Sequence, residues 1–95
     1  MSEQDYQKKI IRYLESEGAY VVKVIAASKK GVPDVIACYE GHFIGIEVKK
    51  PETRNHTSEL QKHNLVLVKL AGGTSMVACN VDEVRDVINS LKTVQ

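Results

Sequence analysis

The chain has 95 residues, 43% of them apolar and 26% charged, with a formal net charge of +1. That length suits one domain, spanning 1–95, with an aliphatic core, since there is one Phe and no Trp. The charge balance excludes a globally basic nucleic-acid binder, and no apolar run nears the ~20 residues of a membrane span.

Ile10, Ile11 and Leu14 recur at helical spacing before Gly18, so a helix is expected over about residues 3–17, with Ser2 as N-cap and Glu3 and Asp5 in its first turn. The β-branched run from Tyr20 to Ile25 reads as a strand, and 26–32 as a polar loop. Pro33 biases Val32 towards an extended backbone, and a second strand runs from Asp34 to about Tyr39. Glu40-Gly41 turns tightly into a third strand from His42 to Lys49. After the polar loop that opens at Pro51, Thr57 or Ser58 caps a helix to about Leu70, which Gly72-Gly73 ends. Thr74 to Cys79 is a short strand, and Asn80 caps a last helix from Val81 to about Leu91. The order αβββαβα predicts an α/β fold. Its mixed four-stranded sheet, flanked by helices, combines an antiparallel meander with a parallel pair across the crossover helix.

Three features exceed structural need. In the third strand Phe43, Gly45, Glu47 and Lys49 share one face, which sets a carboxylate and an ammonium side by side on an interior strand. A plain solvated ion pair is the simple alternative. Pairing about the Glu40-Gly41 turn then sets Asp34 opposite Glu47, with Cβ atoms about 5 Å apart. Two carboxylates that close repel unless a cation lies between them, whereas Asp34 as a turn cap is the ordinary reading. Finally, Glu3 and Gln7 lead the stripe of Ile10 and Leu14, either as a frayed first turn or as further ligands reaching the carboxylates. Gln61, near the stripe of Leu60, Asn64 and Val68, is either a contributor to the same site or an amide bonded to backbone.

Such a set supports phosphodiester hydrolysis: Asp34, Glu47 and the Val48 carbonyl would hold a hard divalent ion, Mg²⁺ being the usual one, and Lys49 would orient water or stabilise developing charge. Ser28, Ser58 and Ser75 lack a His–acid arrangement, so no covalent nucleophile is needed.

Pro33-Asp34 followed by Glu47-Val48-Lys49 resembles the PD-(D/E)XK nuclease signature. The wider series adds Glu3 and Gln7, Gly31-Val-Pro-Asp34, Ile44-Gly-Ile-Glu47-Val-Lys49-Lys-Pro51, Ser58-Glu-Leu-Gln61 and Ala71-Gly-Gly73. Over about residues 2–90 it resembles stand-alone virus-type replication-repair nuclease (VRR-Nuc) domains of phages and bacteria. The resemblance implies a restriction-endonuclease-like fold and Mg²⁺- or Mn²⁺-dependent cutting of structured DNA, with Asp34 and Glu47 as metal ligands, Lys49 as the catalytic lysine, and Glu3 with Gln7 as an auxiliary pair. It also implies a homodimer resolving four-way (Holliday) junctions. The alternatives are a monomeric flap-, nick- or end-directed repair nuclease and a DNA-binding module without turnover.

Lys29, Lys30, Lys50 and Arg54, with Gln61, are the expected DNA contacts, forming a basic rim beside Lys49. Cys38 and Cys79 are expected as buried free thiols, and His42, His56 and His63 as surface residues without zinc spacing. Tyr6 and Tyr39 are expected to pack, and the Val84, Val87, Ile88, Leu91 stripe to face the core or a dimer partner. Without a signal-like apolar segment at its start, the chain is expected to be soluble and cytoplasmic, in a bacterial or phage-infected cell.

Overall fold

The computed structural model describes residues 1–92. Its elements are α1 (Glu3–Ser16), β1 (Tyr20–Lys23), β2 (Val35–Tyr39), β3 (His42–Val48), a 3-10 turn (Pro51–Thr53), α2 (Glu59–Leu70), β4 (Thr74–Ala78) and α3 (Val81–Lys92). The sheet runs β1-β2-β3-β4, antiparallel at the first two pairings and parallel at the third. This is the α/β, αβββαβα architecture that the hydrophobic periods and turn residues specify.

Local chemistry sets the boundaries. Ser2 and Asp5 form a capping box at the start of α1, and Ser58 and Gln61 form another at the start of α2. The Glu40-Gly41 turn has φ of 50° and 80°, both in the left-handed region that a tight, twist-matched hairpin requires. Asn80 Oδ1 accepts from Glu83 N at 2.9 Å and caps α3. β1 stops two residues sooner than its β-branched run suggests. Val24 N still donates to Asp34 O at 2.8 Å, but Ile25 has left the sheet and is 90% exposed.

Alternation along β2 and β3 divides the sheet into two faces. Val35, Ala37, Ile44, Ile46 and Val48 lie on one face, and pack with Ile10 and Leu14 of α1, Ala78 of β4, and Val84 and Ile88 of α3. The apolar stripe of α3 is therefore core, with Leu91 packed against the same cluster, and is not the dimer surface that sequence left open. Only α2 covers the second face. Val68 packs over Gly45 and Gly73, and Ser75 Oγ donates to Leu65 O at 2.6 Å. Cys38 lies on this face beyond the reach of α2, so it is exposed; of the two expected buried thiols only Cys79 is buried, and both are free. Tyr39 is buried and Tyr6 packs at the core's edge, while His56 and His63 are exposed and His42 half-buried.

Candidate active site

The β2–β3 register runs Tyr39↔His42 to Val35↔Ile46, so the next step outward brings Asp34 beside Glu47, as the pairing about the turn requires. Asp34 sits in the bend after buried Pro33, one residue before β2 begins. Its Oδ2 accepts from Val48 N at 3.0 Å, which ties the carboxylate to the backbone next to Glu47.

Glu47 is 1% exposed. Its Oε2 accepts from Gln61 Nε2 at 3.0 Å and lies 3.8 Å from Lys49 Nζ. Its Oε1 has no hydrogen-bond donor. Burial pushes this carboxyl up to about 8, assisted by the neighbouring Asp34 carboxylate; Lys49 opposes the shift and Glu3 adds to it. Three of the expected site residues, Glu3, Asp34 and Lys49, thus act electrostatically on a fourth, Glu47.

Gln7 is the fifth. It is buried on α1, one turn after half-buried Glu3 and one turn before fully buried Ile10. Its Oε1, like Glu47 Oε1, lacks a partner, and among the described residues these are the two buried side-chain polar atoms left so. An unpaired buried oxygen costs about 1–3 kcal/mol, and both fall on residues singled out from sequence. A bare Glu47 oxygen beside a second carboxylate is the donor chemistry of a hard divalent cation. Among the described residues no group of three or more His, Cys, Asp or Glu is placed to hold a metal ion. The acidic ligands available are therefore two carboxylates, which fit a cation whose remaining positions go to backbone or amide oxygens and to water.

Gln61 combines both roles considered for it. Its Oε1 accepts from Ser58 N at 2.9 Å in the capping box, which turns its Nε2 towards Glu47. It therefore lies beside the buried Glu47 carboxylate. The Ser58-x-x-Gln61 box was legible in sequence, but its reach to Glu47 was not.

The basic residues separate into two kinds. Lys29 and Lys30 are exposed on the loop before Pro33, and Lys50 is half-buried at the head of the 3-10 turn. That loop is fastened to α2, because Asn64 Nδ2 donates to Lys30 O at 3.2 Å and Gly31, at φ 81°, packs against Leu60. Asn64, buried at 5% exposure, is a supporting residue that sequence reasoning missed, and its polarity on an otherwise apolar stripe was the available signal. Arg54 has an acidic partner within the chain. The 3-10 turn swings it to the start of α3, where its guanidinium pairs with Glu83, whose other oxygen accepts from Cys79 N at 2.7 Å. Its side chain remains 42% exposed, so the pair with Glu83 lies at the surface.

The chain matches the family model for archaeal Holliday junction resolvase (Hjc) over residues 3–93. A solved VRR_NUC domain superposes with a TM-score of 0.76 at 22% identity, over 92% of this chain and 94% of that one. A second structure is Hjc from Archaeoglobus fulgidus, described as a Holliday junction resolvase from an archaeal hyperthermophile. It gives 0.54 at 17% identity, over 79% of this chain and 65% of that one. No curated protein matches. The two solved structures share the fold of this chain, including the VRR-Nuc architecture expected from its motifs. The near-complete family match assigns its membership: the chain belongs to the archaeal Holliday junction resolvase (Hjc) family of nucleases.

Proposed function

We propose that residues 1–95 form one nuclease domain, a Mg²⁺- or Mn²⁺-dependent structure-selective endodeoxyribonuclease that resolves four-way DNA junctions as a homodimer. The observation that supports this most is the bare Glu47 Oε1 beside Asp34, an oxygen buried without a donor where a cation would satisfy it. Asp34, Glu47 and the Val48 carbonyl are the ligands in this reading. Bound there, the cation supplies Lewis-acid polarisation of the scissile phosphate and activation of water.

The remaining work falls to the chain's own groups. Gln61 holds Glu47 Oε2, leaving Oε1 to face the cation. Val48 N fixes Asp34 in the same way. Lys49, 13% exposed, places its ammonium beside the carboxylates, where it orients the attacking water and offsets charge building on the phosphate. Glu3 and Gln7 would serve as the auxiliary pair from α1, Glu3 adding its charge to the field at Glu47. Lys29, Lys30 and Lys50 neutralise backbone phosphates, which gives affinity without sequence reading and suits recognition of DNA shape. No described helix is long and apolar enough to cross a membrane, and we place the activity in the cytoplasm, with the DNA.

The test is cleavage of labelled four-way junction, flap and linear duplex with Mg²⁺, Mn²⁺ or EDTA, beside Lys49→Ala. Paired nicks in the junction, dependent on metal and lost in the variant, are expected. Cutting confined to flaps or ends removes the resolvase role and keeps the nuclease. Binding with no cutting of any substrate reduces the protein to a DNA-binding module.

A further inference from the structure

Lys49 and Gln61, which both act on Glu47, bracket one stretch between β3 and α2, residues 50–57. Inside that stretch the hydrogen bonds are local. Thr53 donates to Lys50 O from its backbone at 3.0 Å and from its hydroxyl at 3.3 Å. His56 N donates to Thr53 O at 2.8 Å, and Thr57 Oγ1 donates to Arg54 O at 3.4 Å. Bonds of this kind fold the stretch upon itself without fixing where it lies. Among the described residues, only Arg54 carries a hydrogen bond or ion pair from residues 50–57 to the rest of the fold, and its partner is Glu83 in the first turn of α3.

Glu83 is itself held in place. Its Oε1 accepts from Cys79 N at 2.7 Å, and its backbone N donates to Asn80 Oδ1 at 2.9 Å at the cap of α3. Burial raises this carboxyl, but the Arg54 guanidinium and the Cys79 N–H outweigh it and hold Glu83 below the usual value. Cys79 follows Ala78, whose carbonyl accepts from Lys49 N at 3.0 Å. The connections therefore close a ring: Lys49 to Ala78, Cys79 to Glu83, Glu83 to Arg54, and Arg54 back along the chain to Lys49. Both partners of the pair are partly exposed, so it adds only modestly to global stability, and what it fixes is local. We infer that Arg54 and Glu83 are positioning residues, their pair holding residues 50–57 so that Lys49 and Gln61 meet Glu47 together. The catalytic consequence rests on the nuclease reading proposed above, whereas the tether rests on geometry alone.

Steady-state cleavage of a four-way junction in Mg²⁺, well below the melting temperature, tests this with Arg54→Ala, Glu83→Ala and the double variant. Each single change should lower kcat by about 10–10²-fold, the scale of misplacing a catalytic group by about an ångström, and leave KM unchanged. The double variant should be no worse than either single one, because both remove the same link. Arg54→Lys, which keeps a cation for Glu83, should recover most of the loss. In parallel, ¹⁵N spectra of the metal-free chain should show the Lys49 backbone amide and the Gln61 side-chain amide shifted in both alanine variants. If Glu83→Ala fails to fold, Glu83→Gln takes its place, keeping an acceptor for Cys79 N while removing the charge. A raised KM with kcat intact would make Arg54 a phosphate contact and overturn the inference. So would a double variant that loses the product of the two single effects, or Lys49 and Gln61 signals that stay put in folded variants. Signals that move in a protein cutting no DNA would discard the nuclease reading and keep the tether. A wild type that cuts, matched by both folded variants, would do the reverse.

Discussion

Glu47 is buried with one oxygen held by Gln61 and the other bare, and that burial raises its carboxyl above the usual range. An unfolded glutamate ionises near 4.5, whereas in the fold this one holds its proton to about 8. Between those values the unfolded chain has lost a proton that the folded chain keeps, so rising pH favours unfolding. In EDTA the melting temperature should therefore fall from pH 4.5 to pH 8, by several degrees for a domain of this size. Glu47→Gln should flatten the slope, and Mg²⁺ should raise the melting temperature most at the alkaline end. A metal-free protein whose stability is level across that window would show that Glu47 is not strained. Lys49→Ala should lower junction cleavage by about 10²–10³-fold with the fold unchanged, the usual effect of removing one group that stabilises developing charge. At this scale the sequence was most informative where backbone geometry alone decides proximity. The Glu40-Gly41 turn fixed the register, and the register brought Asp34 to Glu47. Contacts that depend on how a helix settles on a sheet were not legible, so neither the bond from Gln61 to Glu47 nor the pairing of Arg54 with Glu83 could be read from the sequence.

Among the elements, the segment from Val24 to Asp34 depends most on a single residue. Gly31 adopts φ 81°, and a Cβ there would meet Leu60 Cγ at 2.8 Å and Asn64 Nδ2 at 2.9 Å. Gly31→Ala should cost about 2–4 kcal/mol in urea denaturation, from left-handed backbone strain together with overpacking. It should also weaken cleavage beyond what the stability loss explains, since Pro33 and Asp34 lie within three residues of it. Recovery of full activity once the variant is held folded by low temperature would argue against that positioning role. Helix starts and stops, strand order and the parallel crossover could all be read from caps, glycines and periodicity, because those signals are local. The early end of β1 could not. Ile25 continues a β-branched run in sequence, yet Asp34 O accepts from Val24 N and the sheet offers no further partner.

For the molecule as a whole, a net charge of +1 leaves DNA binding to a few placed lysines. Lys29→Ala and Lys30→Ala should each weaken binding to junction, flap and duplex alike. Each should reduce the slope of log affinity against log salt by about 0.9. Arg54→Ala should leave that slope unchanged and lower stability instead, because its partner is Glu83. A slope that drops with Arg54 and not with the lysines would reverse the assignment. Composition gave no warning of the bare β1–β2 face, since alternation marks two faces without saying how far a lone helix will cover one of them. A chain of this size also has little redundancy, so single side chains carry double duty. One amide, that of Gln61, serves the start of a helix with its oxygen and a buried acid with its nitrogen. Glutamate would begin the helix equally well, but it has no hydrogen to offer Glu47. A drift to glutamate would therefore keep the cap yet strip a buried oxygen of its donor and set another carboxylate against it, so the fold and the chemistry ask for the same amide.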